Sequence, residues 1–242
     1  MAELRALVAA AGKGTRAGLP YPKTLFSIQG RPILLRILDL LEPYDAEPTV
    51  IVSPEGLGAV QAALAVDGRE AHLVCQPEAR GMGDAVLRFE ESPAFAEATD
   101  VLLLWGDIPF IQEATVASVV QAHRDHDNDF TFATRIVESA YTRVSRDAVG
   151  RVTGLMETRE AGIRDPQPGE RDIGLFIFRK DAVFPLLREE LPGKWGRATS
   201  EHGFLYLVEH LAARGLRVEA IPVATELDLV SLNSLQDVHA FL

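Results

Sequence analysis

A chain of 242 residues and 26.4 kDa is long enough to bury a substantial core, either as one large α/β domain or as two small ones. Hydrophobic residues make up 47% and charged residues 24%, which excludes a disordered chain, and a net charge of −11 with a pI near 5.0 argues against a nucleic-acid partner, because no basic face stands out to neutralise a phosphate backbone. The single cysteine, Cys75, excludes an internal disulfide and any cysteine-rich metal centre.

Short apolar runs then alternate with helix-like segments along the chain. RALVAA (residues 5–10), TVIVS (49–53), HLVCQ (72–76), VLLLW (101–105) and FTFAT (130–134) read as strands. Between them ILLRILDLL, GAVQAALA, DAVLRFEE and EATVASVVQAHRDH carry apolar residues at helical spacing. Near-continuous apolar strands separated by helices imply a parallel sheet covered on both faces. The first run is too short to span a bilayer and no other reaches membrane length, so no membrane partner is expected and the expected location is the cytoplasm.

The pattern changes after residue 135. Residues 141–157 read as two strands around a turn at 148–150, and DIGLFIFRK as a further strand. Helices are expected near 182–190 and 202–214, a last strand at LRVEAIPV, and a closing helix from Ser231. The polar stretch REAGIRDPQPGERD (159–172) reads as an exposed loop, and His123 and His126 as caps of a solvated helix end. With no repeat and no clear linker, the expectation is a single α/β domain over 1–242, a nucleotide-binding half (1–135) followed by a β-rich acceptor-binding half (136–242), around a mixed, mostly parallel central sheet flanked by helices.

The first loop, VAAAGKGTRAGLPYPKTL (8–25), gathers Lys13, Arg16 and Lys23 among glycines in an acidic chain. Glycines after the first strand of an α/β sheet let backbone N–H groups approach a phosphate, and basic side chains add charge. GKGT lacks the first glycine of a P-loop. GKGTRA fits a relaxed dinucleotide fingerprint, but Gly18, Pro20 and Pro22 forbid the helix which that fingerprint needs.

The stretch resembles the signature loop of the sugar-phosphate nucleotidyltransferases, A-A-G-x-G-T-R…P-K. In that family the glycine loop wraps a nucleoside triphosphate and the basic residues grip its phosphates, which implies those roles for Ala10, Gly12, Lys13, Gly14, Arg16 and Lys23. Further segments resemble the family pattern in the same order. QPEARGMGDAV (76–86) matches the segment whose Gln and Gly read the base, here Gln76 and Gly81; a Gln amide offers both donor and acceptor. LLLWGDIPFI (102–111) matches the segment whose Asp is a magnesium ligand, here Asp107, and LDLVSLNSLQDV (227–238) the one supplying the second ligand, here Asn233. GRVTGLMETREA (150–161) implies a sugar contact for Glu157. The set most resembles the uridylyltransferase domain of the N-acetylglucosamine-1-phosphate uridylyltransferases, which implies a Rossmann-like, GT-A-like nucleotidyltransferase fold. The implied reaction joins a nucleoside triphosphate, expected to be UTP, to a sugar 1-phosphate with Mg²⁺, releasing pyrophosphate.

The departures fall on the acceptor side. The family's N-T-G is here Asp172, Ile173 and Gly174, so an amide that can donate has become a carboxylate that accepts. Its G-E-Y-Y-L-T-D stretch is here Ser200, Glu201, His202, Gly203, Phe204, with Glu201 retained, and Met82 replaces a threonine of the base segment. Asp172, Gly174 and Glu201 are expected with Glu157 on the acceptor, and fewer donors for an acetamido carbonyl point to a pyranose or polyol phosphate other than N-acetylglucosamine 1-phosphate. No hexapeptide repeats follow, so no C-terminal acyltransferase domain is expected. Two other readings stay open: a nucleotide-sugar-binding regulatory protein without catalysis, and a cytidylyltransferase acting on an alditol or amino-alcohol phosphate.

Overall fold

The computed structural model describes residues 3–12, 14 and 18–241; Lys13 and Arg16, two of the expected triphosphate contacts, lie outside the described residues. In chain order the elements are β1 (Leu4–Ala9), β2 (Ser27–Ile28), β3 (Arg31–Pro32), α1 (Ile33–Leu41), β4 (Thr49–Val52), α2 (Pro54–Asp67), β5 (His72–Cys75), α3 (Met82–Leu87), α4 (Ala94–Glu97), β6 (Asp100–Trp105), α5 (Glu113–Asp125), β7 (Phe130–Val137), β8 (Thr142–Arg146), β9 (Val152–Glu157), β10 (Gly169–Arg179), α6 (Lys180–Arg188), α7 (Leu207–Ala213), β11 (Val218–Ile221) and α8 (Leu235–Val238). Seven of the strands belong to a mixed, mostly parallel central sheet, the fold class expected of the alternating apolar pattern. The chain divides into two compact units, the first from residues 1–79, 85–113 and 226–242, the second from 80–84 and 114–225.

In the first unit the strands run in the order β6-β1-β4-β5, every pair parallel, with Leu7 level with Thr49 on one side and Leu103 on the other. β4 is buried along its whole length and β6 over its first five residues, as expected of strands covered on both faces. The helices between them start and stop for local reasons. Ser53 Oγ accepts from the Gly56 N–H at 3.1 Å to cap α2, Pro54 occupies its first turn, and Gly68 ends it in the left-handed region at φ 68°. α1 buries Ile33, Leu34, Leu35, Ile37, Leu38 and Leu41, the spacing that announced it.

In the second unit β7 lies between β11, parallel to it, and β10, antiparallel to it. β8 and β9 form a separate antiparallel pair turning at residues 147–151. The core is aromatic: Phe130, Phe132, Phe176, Phe178 and Phe204 are all buried, with ring centroids 5.4–6.0 Å apart. β10 begins at Gly169, inside the stretch expected to be loop, and its register against β7 shifts between Asp172 and Phe176. Two helix expectations are shortened. α7 begins only at Leu207, because the chain at 200–203 is taken up by a left-handed Ser200 (φ 57°) and a bridge between Trp195 and His202. The closing helix is one turn, α8, followed by a 3₁₀ turn at His239–Phe241. His123 is buried rather than solvated, its Nδ1 2.9 Å from Thr131 Oγ1, whereas His126 is exposed and meets Glu219 at 2.7 Å.

Candidate functional site

The first unit places Ala10, Gln76 and Asp107 just beyond the carboxyl ends of β1, β5 and β6, where open α/β sheets receive their ligands. The Ala10 N–H donates to the Ile51 carbonyl and the Gly106 N–H to the Ala9 carbonyl, both at 2.9 Å, so the departing loops remain laced to the sheet. A Cβ at Gly106 would lie 2.9 Å from the Ala9 oxygen and 3.0 Å from Ala10 Cα, so only glycine allows this approach. Gln76 is buried, its N–H bonded to the Val52 carbonyl at 2.8 Å.

Lys23 opens a 3₁₀ turn (Lys23–Leu25) behind Pro22, and its ammonium forms an ion pair with Asp107 Oδ2. Gly12 makes room for that side chain: a Cβ there would stand 2.9 Å from Lys23 Cε. Gly14 serves the loop itself, since a Cβ would meet the Tyr21 carbonyl at 2.5 Å and Leu19 Cβ at 2.8 Å, while its own carbonyl accepts from the Leu19 N–H at 3.0 Å.

Asp107 Oδ1 is buried and has no hydrogen-bond partner among the described residues. A buried carboxylate oxygen without a donor costs free energy unless a ligand completes it. The segment carrying Asn233 runs alongside: the Leu232 N–H donates to the Asp107 carbonyl and the Gln112 N–H to buried Asp228 Oδ1, each at 2.8 Å, and the Phe110 and Phe241 rings meet at 4.6 Å. Asn233 is exposed, and its Nδ2 donates to Ser231 Oγ at 2.8 Å, which commits the amide nitrogen and leaves Oδ1 to accept. One unpartnered carboxylate oxygen and one amide oxygen are hard donors, a set that suits a divalent cation retaining most of its water. No group of three His, Cys, Asp or Glu able to hold a metal occurs among the described residues.

The remaining candidates belong to the second unit. Glu157 ends β9 opposite Thr142, and its Oε2 accepts from Arg159 Nη2 at 3.1 Å. Burial raises its pKa above the ordinary value, against the charge of Arg159. Asp172 is buried, and both its oxygens are engaged within the chain: Oδ1 accepts from Thr142 Oγ1 at 2.6 Å and Oδ2 from the Gly174 N–H at 3.0 Å. Burial raises its pKa, with those two hydrogen bonds opposing the shift. Gly174 at φ 80° supplies the left-handed residue that the irregularity in β10 demands, so the two residues shape a bulge. Gly81, at φ 105°, lies against the His202 backbone and Glu201 Cβ, and Glu201 is exposed. The sequence does not reveal His202 as a partner of the Gly81 loop; the glycines at 81 and 83, needed where two backbones touch, are the signal that points to it. Nor does it reveal Asp228 and the Leu232 N–H, which tie the segment carrying Asn233 to Gln112 and Asp107.

Residues 6–188 match the family model of the MobA-like NTP transferase domain. Curated relatives include a bifunctional protein GlmU from Heliobacterium modesticaldum, 30% identical over 95% of this chain and 49% of its own length, and one from Kineococcus radiotolerans, 33% identical over 94% and 46%. The chain thus spans about half the length of the curated relatives it matches. Among solved structures, a putative glucose-1-phosphate thymidylyltransferase from Bacillus anthracis superimposes with a TM-score of 0.75 at 16% identity, over 98% of this chain and 94% of that one. An inositol-1-phosphate CTP transferase from T. maritima does so with a TM-score of 0.69 at 17%, over 91% and 85%. No helix among the described residues is long and apolar enough to cross a membrane. With the motif order of its sequence, its α/β fold and a family match over three quarters of its length, the chain belongs to the MobA-like NTP transferase family and, within the sugar-phosphate nucleotidyltransferases, resembles the GlmU proteins.

Proposed function

We propose that the chain transfers a nucleotidyl group from a nucleoside triphosphate, UTP being the nucleotide expected from the GlmU resemblance, to a sugar phosphate, releasing pyrophosphate. The observation that carries this reading is the pairing of Lys23 with Asp107 at the carboxyl ends of β1 and β6, beside a buried Asp107 oxygen that lacks a partner. A phosphate oxygen of the acceptor attacks the α-phosphorus; the bond from that phosphorus to the bridging oxygen breaks, and its electron pair leaves on pyrophosphate. No nucleophilic side chain or general base is required, because the acceptor phosphate is already anionic.

The chain's task is to hold anions together and stabilise the charge that develops. Unit charges about 4 Å apart repel by roughly 1 kcal/mol in water and about 4 kcal/mol at an effective dielectric of 20. Asp107 and Asn233 fit Mg²⁺ by their oxygen donors, and when bound it supplies Lewis-acid stabilisation of phosphate charge. Lys23, with Lys13 and Arg16, takes the charge growing on the pyrophosphate, as preorganised cations do for a departing anion. Ala10, Gly12 and Gly14 give the loop its close backbone approach, and Gln76 and Gly81 recognise the base. Glu157 and Glu201 contact the acceptor, while Asp172 and Gly174, committed to each other, hold β10 in shape. Asp172 stands where the family has a donor amide, and its oxygens are committed to Thr142 and Gly174, so no side-chain donor is offered there to an acetamido carbonyl and a pyranose or polyol phosphate other than N-acetylglucosamine 1-phosphate is the favoured acceptor.

The test is pyrophosphate release with Mg²⁺ across four nucleoside triphosphates and a panel of sugar and alditol phosphates, with Asp107→Ala as the control. A signal lost in that variant supports the reading and names both substrates. A preference for N-acetylglucosamine 1-phosphate over glucose 1-phosphate refutes the acceptor assignment. Silence across the grid with nucleotide binding intact refutes catalysis.

A further inference from the structure

The loop carrying Gly81 is held by His202, a residue with no role assigned above. The His202 N–H donates to the Arg80 carbonyl at 2.6 Å, and the His202 carbonyl accepts from the Gly83 N–H at 3.0 Å. Residues 80 and 83 are therefore pinned to one residue, with Gly81 arched between them. The approach leaves no space on the loop side. A Cβ at Gly81 would lie 2.4 Å from the His202 carbonyl oxygen and 2.9 Å from Glu201 Cβ, and one at Gly83 2.2 Å from the Gly203 carbonyl and 2.6 Å from the His202 ring.

His202 is itself fixed from behind. It bridges Trp195 in antiparallel fashion, its ring centroid lies 5.4 Å from that of Trp195 and 6.2 Å from that of Tyr206, and it is only 3% exposed. The Gly203 N–H donates to the Lys194 carbonyl at 2.8 Å and the Gly196 N–H to the Glu201 carbonyl at 2.9 Å, closing the platform. Burial, aided by the charge of Lys194, pushes the imidazole down to about 4, so it is neutral at physiological pH and acts by shape.

We propose that His202 is a positioning residue for nucleotide recognition, holding the Arg80–Gly83 loop in the arch through which Gly81 meets the base. This rests on the base-reading role assigned to Gly81 above. Its consequence is selective: loss of the support weakens recognition of the base and leaves the grip on phosphates untouched, because Gly12, Gly14 and Lys23 do not depend on this loop.

The experiment is calorimetric titration, without acceptor, of the four nucleoside triphosphates and of inorganic tripolyphosphate into the full chain and three variants. His202→Ala removes the imidazole wedge, and Gly83→Ala forces the bridge apart from the other side. Gly203→Ala is the control, since its Cβ would make only ordinary contacts, 3.5 Å to Tyr206 Cδ1 and 3.6 Å to the Lys194 carbonyl. The expected result is at least about a tenfold weaker preferred triphosphate in the first two variants, with a flattened base preference, tripolyphosphate affinity within about twofold of the parent, and Gly203→Ala unchanged. Equal losses for both ligands, or unchanged triphosphate affinity in either folded variant, overturn the proposal. If His202→Ala does not fold, Gly83→Ala alone decides. A parent protein that binds no nucleoside triphosphate overturns the functional reading itself, a result distinct from unchanged affinity in the variants.

Discussion

The Lys23–Asp107 pair allows a double-mutant cycle whose outcome is asymmetric. The Lys23 side chain is 23% exposed and that of Asp107 14%, so the pair is only partly solvated. Opposite unit charges about 4 Å apart attract by about 4 kcal/mol at an effective dielectric of 20, and desolvation reduces the net contribution. Asp107 is anchored through its carbonyl to Leu232, and its Oδ1 is already without a partner, so removing Lys23 strands a complete carboxylate. Lys23→Ala is expected to cost about 1–3 kcal/mol, a melting temperature lower by roughly 2–12 °C for a chain of this size. Asp107→Ala costs less than about 1 kcal/mol, because the long Lys23 stem can swing its ammonium into water. The double variant is then more stable than Lys23→Ala alone, with a coupling of about 0.5–3 kcal/mol. Thermal melts of the four proteins in metal-free buffer check this, and a double variant whose loss equals the sum of the singles refutes it. The same melts test the metal assignment. At ten times its dissociation constant a cation adds about 1.4 kcal/mol, so magnesium at constant ionic strength should protect Lys23→Ala more than the parent, and should not protect the double variant.

Two further outcomes follow from single atoms. Gly12→Ala directs a Cβ at the flexible Lys23 stem rather than at backbone, so its melting temperature should stay within a few degrees of the parent, while kcat for pyrophosphate release falls on the order of 10²–10³-fold as Lys23 is displaced; full activity would remove Gly12 from that role. Asp172→Asn retains both hydrogen bonds, the Thr142 hydroxyl turning to accept, and removes a buried charge. Because the folded-state pKa of Asp172 is raised, the unfolded chain ionises first, and the stability that protonated Asp172 contributes is present at low pH and lost as pH rises through the folded value. The variant should therefore melt a few degrees above the parent at pH 8 and level with it near pH 3; the reverse order would show that the carboxylate is stabilised by its neighbours.

Local pattern accounts for what the sequence made legible. Ile33–Leu41 is read to the residue because its seven apolar side chains cover one broad helical face, and the β8–β9 pair because a Gly-containing turn separates two alternating runs. Elements fail where distant backbone takes the chain over, as at 200–203, where the hydrogen bonds of His202 to Arg80 and Gly83, with the bridge to Trp195, displace the expected start of α7. The resemblance singles out Lys23 and Asp107, but 84 residues separate them, and no local signal shows that they neutralise each other in the absence of ligand. Asp172 reads as a polar residue available to a substrate; only the bulge in β10 explains why a carboxylate is buried there, bonded on both oxygens. His202 has no motif of its own because its hydrogen bonds to Arg80 and Gly83 run through its backbone, which any residue type could supply.

The attachment of Leu232 to Asp107 and of Gln112 to Asp228 ties the middle of the chain to residues made more than a hundred positions later. A ribosome therefore releases the strands of the first unit long before it releases the piece that braces the Asp107 loop. A product halted after residue 225 would carry every glycine and lysine of the first loop and still lack Asn233 and the anchor beneath Asp107. The order of synthesis thus acts as a safeguard: under the proposed function, a chain that stops short of residue 228 lacks both the brace of the Asp107 loop and the second residue proposed to hold the cation.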